Sequence, residues 1–462
     1  GPLFRGAGAY FIRRSFDNDP LYKMVFKKYL TFLIREGYTQ EFFIEGGRSR
    51  TGKILTPKLG MLSAIVGAFV DGVRRDLYLV PVSIQYGRVV EAESYSRELS
   101  GEEKEKENVW SLLKARAVLQ RKHGTVYVTF AEPISLNETL GGRKEQFRIA
   151  GDNPVIEDEK RRFIQKLGFR LLREVNAATV AGASSVAATV LLGAAQPAVR
   201  MSAFLESADT LVRYLRDHGI AFSGSLVRNA ATEFREIVGF LEGGGLVQRV
   251  ADPSGEVLFV PTEKRLTLDF HKNNSIHVFL LPTLLVRGLL GGYRGAALRD
   301  EVSWWLDTFR WEFALPERED LSAELGRLID YLRAQGVLTN GDAVGEQHPF
   351  VRTTVGLLEN FQEAYWVAAR VLAEVDKPTP RKAVLNLMRK RYETSLLLGE
   401  LRKPEGCSTV TLGNAIERFR ELELVAVQPA PKDRDRLVRP GENAAALPAL
   451  IERLRPRHEV FS

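Results

Sequence analysis

The sequence predicts an α/β domain with a mostly parallel sheet and flanking helices, then a mainly α-helical region. Three observations carry this. Over residues 1–135, short apolar β-rich runs alternate with amphipathic helical patterns. The stretch Phe42-Phe43-Ile44 runs into Glu45, Gly46 and Gly47 and then into Arg48, Ser49, Arg50 and Lys53, the profile of a buried strand that ends in a glycine-rich basic loop. Beyond residue 160 the apolar spacing becomes helical, with small hairpin signals between the helices. The domain reading is therefore 1–135 for the α/β part, 136–160 for a polar linker and 161–462 for the helical region, subdivided near 295.

The elements follow in order. Ala9 to Ile12 reads as a short strand ending in Arg13 and Arg14. Between Pro20 and Glu36 the apolar residues Leu21, Val25, Phe26, Tyr29, Leu30, Leu33 and Ile34 mark a helix face, and Gly37 stops it. The strand Phe42–Ile44 follows, then a helix opening near Pro57 and reaching Val73. Leu77 to Tyr86 is β-rich, with Pro81 marking an edge, a bulge or a strand mouth because proline donates nothing to a ladder. Thr125 to Phe130 is a further strand.

In the helical region, Asn176 to Val199 carries no charge and is rich in Ala, Gly, Ser and Thr. It reads as a tightly packed buried or interfacial helix, being too weakly apolar for a good membrane span. Met201–Asp217 and Ser223–Leu241 read as helices, followed by a hairpin around Asp252-Pro253-Ser254-Gly255. Two helices and a hairpin suggest a winged-helix-like unit, with a similar rhythm from Leu321 to Leu338. Trp304, Trp305, Phe309, Trp311 and Phe313 form an aromatic cluster, read as core ahead of a membrane anchor. Pro429 to Pro440 reads as an exposed charged loop.

Composition narrows the function. Net charge is +7, from 65 basic and 58 acidic residues, and the first sixty residues hold 11 Lys/Arg against 5 Asp/Glu. A basic excess placed there suits an anionic substrate, an anionic membrane surface, or both. It does not favour a nucleic-acid reader built on residues 201–262. Cys407 is the only cysteine, which excludes an internal disulfide and a cysteine-based metal site.

The loop after Phe42–Ile44 concentrates the chemistry. Arginine forks grip phosphate bidentately, and α/β folds bind ligands at strand ends. Arg48 and Arg50 are assigned to phosphate, and Glu45 to a substrate hydroxyl or to an arginine. Gly47-x-x-x-x-Gly52-Lys53 fits most of a P-loop, but Ile54 stands where a metal-binding Ser or Thr is needed and Pro57 interrupts the helix that should start at once. A nucleotide loop is rejected on those grounds.

Three stretches then line up in order: GPLFRGAGAYFIRR, FFIEGGRSRTGK and VPVSIQY. Together they closely resemble motifs two, three and four of the bacterial membrane glycerol-3-phosphate acyltransferases. The Asn176–Leu192 stretch and His271-Lys272-Asn273-Asn274 resemble that family's C-terminal portion, so the likeness covers nearly the whole chain. It implies transfer of a fatty acyl group from acyl-CoA or acyl-carrier protein to the sn-1 hydroxyl of glycerol 3-phosphate. The product is lysophosphatidic acid, an early phospholipid precursor. It also implies a peripheral protein on the cytoplasmic face of the bacterial inner membrane, no metal, and no cofactor besides the acyl donor. Residue by residue, Arg13 (with Arg14 beside it) matches the motif-two arginine for the phosphate. Glu45, Gly46, Arg48, Ser49 and Arg50 match motif three, and Pro81 to Tyr86 match motif four on the acyl-donor side.

One family element is missing from the sequence. The resemblance implies a His-x4-Asp base lying upstream of GPLFR, its Asp orienting the imidazole that takes the hydroxyl proton. The residues five places after His123, His218, His271, His277 and His348 are Val128, Ser223, Ile276, Pro282 and Thr353, and His458 has only four residues after it. The expectation is an incomplete gene product that lacks the first strand-helix unit, leaves the sheet incomplete, and binds polar substrate without turnover. The alternatives are an acyltransferase acting on dihydroxyacetone phosphate and a non-catalytic membrane-surface scaffold.

Overall fold

The computed structural model describes residues 2–13, 19–47, 49–86, 125–149, 153–314, 320–339, 341–429 and 436–456. The chain divides into two compact units. The first comprises 1–47, 57–81 and 132–174, and the second 48–56, 82–131 and 175–462.

In chain order the first part holds α1 (Pro2–Gly6), α2 (Pro20–Glu36), α3 (Leu59–Val70), β1 (Tyr78–Leu79), β2 (Val82–Tyr86), β3 (Val126–Phe130), β4 (Ile134–Ser135), α4 (Leu136–Leu140), α5 (Arg143–Ile149) and α6 (Pro154–Ala177). Helix α2 starts where expected, for a local reason. The Asp19 carboxylate accepts from the Tyr22 amide, Pro20 opens the helix, and Gly37 closes it at φ 88 with its amide on the Ile34 carbonyl. The core of the first unit gathers Leu30 and Ile34 of α2, Leu62, Val66 and Phe69 of α3, Leu136, Phe147 and Leu167.

Several expectations are corrected here. No two of the described strands pair in parallel. β1 pairs with β4 and β2 with β3, both antiparallel. Ala9–Ile12 and Phe42–Ile44 form no ladder among the described residues. Apolar, β-prone sequence becomes a strand only beside a partner. Here Gly46 instead closes a turn onto the Phe43 carbonyl at 2.9 Å, and the Ile44 carbonyl accepts from the Lys58 amide at 2.7 Å. Of the 136–160 stretch read as a linker, the described residues are mainly helical, in Leu136–Leu140, Arg143–Ile149 and the start of α6, and Leu136, Leu140 and Phe147 are buried. Polar residues there lie on outer faces, which the sequence pattern alone makes look like loop.

The second unit continues with α7 (Ala183–Gly193), β5 (Ala198–Arg200), α8 (Met201–Asp217), α9 (Gly224–Gly243, kinked at Asn229), β6 (Gln248–Asp252), β7 (Gly255–Phe259), α10 (Arg265–Asn273), α11 (Ile276–Leu290), α12 (Gly295–Thr308), α13 (Leu321–Ala334), α14 (Pro349–Thr354) and α15 (Glu359–Ala373). It ends with β8 (Thr379–Pro380), α16 (Arg381–Leu397), α17 (Thr409–Glu421), β9 (Val425–Pro429), β10 (Arg436–Pro440) and α18 (Leu447–Leu454). Helix α7, uncharged and small, is buried along its whole length and packs on α8, α9, α10 and α14. Gly193 shows why small residues are needed, since a Cβ there would lie 2.0 Å from the Thr353 carbonyl oxygen. Among the described residues no helix is long and apolar enough to cross a membrane.

The expected hairpin forms as β6–β7, with β5 added in the order β5-β7-β6. The same strand–helix–helix–hairpin order recurs as β8, α16, α17, β9 and β10. Among the described residues it does not recur at Leu321–Leu338, where α13 leads to an isolated bridge between Leu338 and Val344. The supposed loop at 429–440 therefore contains a strand whose Val438 is buried. Trp305, Phe309 and Phe313 of the aromatic cluster are buried in the core.

Candidate functional site

Within the first unit, Arg13 lies in the segment between α1 and α2. Its guanidinium donates to the Asp19 carboxylate at 2.6 Å and stacks over the Tyr22 ring at 4.4 Å. The Tyr22 amide, and with it Arg13, holds the Asp19 carboxyl below its usual range. Arg13 is exposed, so the pair is open to exchange with a solute anion. Glu45 is half-buried in the turn after Ile44. Gly46 has φ 66, and a Cβ there would meet the Lys58 side chain at 2.8 Å, so both space and backbone favour glycine. Pro81 is buried at the break between β1 and β2. Arg14 lies outside the described residues.

The second unit takes the rest of the basic loop. Arg48 lies outside the described residues, and Arg50 is exposed. Ser49 donates its hydroxyl to the Lys53 carbonyl and lies 3.4 Å from the Thr51 hydroxyl, which in turn accepts from the Lys53 amide at 3.3 Å. The loop thus folds on itself through two short side chains. Tyr86 ends β2 and is exposed, while Ser83 of the same strand is buried against Thr179 at 3.3 Å.

The end of the loop is anchored in the helical core. Asn273 donates to the Thr51 carbonyl at 2.8 Å. Gly52, at φ 79, presses on the Phe270 carbonyl so closely that a Cβ would lie 2.1 Å from that oxygen. Lys53 is buried, pairs with Glu312, and faces the Phe361 ring at 4.2 Å and the Phe313 ring at 5.6 Å. Tyr365 donates to the other Glu312 oxygen at 3.2 Å. The sequence reading missed Lys53 in this role, counting it among the cations crowded into the loop. The polar string His271-Lys272-Asn273-Asn274 gives no spacing that points to Lys53.

That anchor belongs to a buried polar layer. Asp269 pairs with Lys272 at 2.6 Å and accepts from Asn273 at 2.7 Å, while Lys272 donates to Asn360 at 3.2 Å. Arg265 grips Glu405 with two bonds, at 2.7 and 2.8 Å. Burial alone would raise Glu405; Arg265 outweighs it and takes the carboxyl down to about 2. Glu363 goes the other way. Burial pushes it up to about 7, against bonds from the Arg402 and Lys403 amides and the Tyr392 hydroxyl. Among the described residues no group of three His, Cys, Asp or Glu is placed to hold a metal ion.

Comparison with known proteins places these features. Residues 1–85 match the family described as acyltransferase, and residues 95–428 match the family described as glycerol-3-phosphate acyltransferase C-terminal region. A relative from Shewanella sp. strain MR-7 named glycerol-3-phosphate acyltransferase is 32% identical over 359 residues, covering 74% of this chain and 42% of the relative. One of the same name from Haemophilus ducreyi is 30% identical over 385 residues, covering 81% of this chain and 47% of its own length. The chain spans about half the length of the curated relatives it matches. With an acyltransferase segment followed by a helical unit matched over most of its length, the chain belongs to the glycerol-3-phosphate acyltransferase C-terminal region family.

Proposed function

We propose that this protein serves the acylation of glycerol 3-phosphate at its sn-1 hydroxyl, with acyl-CoA or acyl-carrier protein as donor and lysophosphatidic acid as product. The observation that carries the reading is the family match on both segments, with the three motif stretches inside residues 1–85 or at its edge. Arg13, Arg48 and Arg50 then serve the phosphate, Glu45 a glycerol hydroxyl or an arginine, and the Pro81–Tyr86 stretch the acyl side. In the reaction the hydroxyl oxygen attacks the thioester carbonyl, the C–S bond breaks, and the hydroxyl proton ends on the departing thiol. An anionic membrane surface suits the basic opening of the chain, and phospholipid synthesis suits the product.

The described histidines are poor candidates for the base. His271 is buried and His277 half-buried, and desolvation takes both down to about 4. His348 accepts from the Phe350 amide at 3.2 Å as a helix cap, and His218 packs on Tyr214 with ring centroids 4.1 Å apart. The part this proposal gives to Arg13, Glu45, Arg48 and Arg50 is binding and orientation of the substrates.

The test measures acyl transfer from acyl-CoA to glycerol 3-phosphate, using this chain beside a form extended upstream, with dihydroxyacetone phosphate as a parallel acceptor. Transfer to glycerol 3-phosphate by the extended form, lost on Arg50→Ala, is the expected result. Failure of both forms to bind or acylate it overturns the proposal. Preference for dihydroxyacetone phosphate would reassign the acceptor.

A further inference from the structure

We infer that Lys53 is a positioning residue whose pairing with Glu312 fixes the basic loop to the helical unit, and that it is not itself a phosphate ligand. The inference deepens the proposed function and rests on it for the identity of the anion. Four contacts of different kinds converge on three consecutive residues. Thr51 is held by its carbonyl, Gly52 by backbone contact with α10, and Lys53 by both an ion pair and an aromatic face. The Lys53 side chain is 5% exposed and the Glu312 side chain 0%. An ammonium so placed has no open side on which to receive a phosphate. Its neighbour Arg50 is exposed, and its backbone leads directly into the anchored residues.

The division of labour has a physical basis. A loop that binds an anion must be ordered before the anion arrives, or binding pays for the ordering. Cations on a free loop also repel one another. Burying one of them against a carboxylate removes it from that repulsion and spends it on order instead. Glu312 lies 259 residues from Lys53 in the chain, and its donor Tyr365 a further 53, so this order is supplied by the helical unit.

The test uses the whole chain and three proteins: wild type, Lys53→Met, and the double variant Lys53→Met with Glu312→Gln. The single variant leaves a bare buried carboxylate and is expected to unfold readily. The double variant keeps a neutral acceptor for Tyr365 and so retains the fold while lacking the ion pair. Hydrogen exchange of a peptide spanning residues 46–56 reports loop order, and calorimetric titration reports binding of glycerol 3-phosphate and, separately, of acyl-CoA. In the folded double variant the loop should exchange faster by about tenfold and glycerol 3-phosphate affinity should fall by about tenfold, with acyl-CoA affinity within about twofold of wild type. Unchanged loop exchange refutes the anchor. Faster exchange with unchanged glycerol 3-phosphate affinity refutes the positioning role. Equal losses for both ligands also refute it, since they indicate general damage. If wild type binds no glycerol 3-phosphate, the proposed function falls, and the positioning role with it, while the exchange result still decides whether the anchor exists.

Discussion

Gly52→Ala is the sharpest perturbation of the anchored loop. Two costs can be worked from the structure. Gly52 sits at φ 79, and placing alanine in the left-handed region costs roughly 1–2 kcal/mol. The added Cβ would also lie 2.1 Å from the Phe270 carbonyl oxygen, with the Phe270 carbonyl carbon at 3.0 Å. That oxygen belongs to the backbone of α10 and cannot swing aside as a side chain would. The loop must retreat by about 1 Å, at a cost typical of overpacking, about 1–3 kcal/mol. The sum, about 2–5 kcal/mol, is a large part of the stability of an ordinary domain. Urea unfolding followed by tryptophan fluorescence measures it, because Trp304, Trp305, Trp311 and Trp366 all lie in the second unit. Gly47→Ala is the control, since a Cβ at Gly47 meets nothing within 4 Å and its φ is not positive. A midpoint for Gly52→Ala as close to wild type as that of the control, with loop exchange unchanged, would refute the close approach and the anchor built on it.

Three further outcomes follow from the same physical rules. Gly326 lies inside α13, and a Cβ there meets nothing within 4 Å, so Gly326→Ala should raise the midpoint of the same urea experiment, stabilising by about 0.4–1 kcal/mol. Arg265→Met strands the buried Glu405 carboxylate and should cost about 3–5 kcal/mol, most of it recovered in the double variant with Glu405→Met. The folded Glu405 carboxyl is depressed to about 2, so its contribution is present above the unfolded value near 4.3 and is lost as pH falls toward about 2. Glu363 has the opposite sign. With its folded pKa raised to about 7, its contribution is complete below the unfolded value and is lost as pH rises through about 7, a swing on the order of 3 kcal/mol. Urea midpoints at pH 5 and pH 8 should therefore fall further in wild type than in Glu363→Gln, and equal falls would contradict the raised value.

How much of this was legible in the sequence depends on how local the cause is. The α2 boundaries were legible because Asp19, Pro20 and Gly37 act on their own neighbours. The break at Pro81 and the buried α7 were legible for the same reason, one from a missing donor and the other from small uncharged side chains. The strands at Ala9–Ile12 and Phe42–Ile44 were misread because a strand is a property of a pair. Their apolar residues state a preference for pairing, but the parallel neighbours that alternation suggested are not among the described strands. The second hairpin was misplaced because its strands β9 and β10 are five residues each and end in Pro429 and Pro440, and these prolines and the charges between them make the stretch read as loop. Family motifs were legible as strings, yet a string gives no sign of which side chains face solvent.

The loop shows what that last limit hides. Read along the chain, Arg50 and Lys53 are equivalent cations three residues apart. In the fold one is exposed and the other is buried against Glu312, so they answer to different physics. An exposed guanidinium is screened by salt, whereas a pair shielded from solvent is screened much less. Anion affinity at the loop should therefore weaken steeply with ionic strength while loop order does not. A string of cations that looks like one cradle can thus combine a ligand with its own foundation. The distinction becomes visible only when a carboxylate from 259 residues away is placed beside one of them.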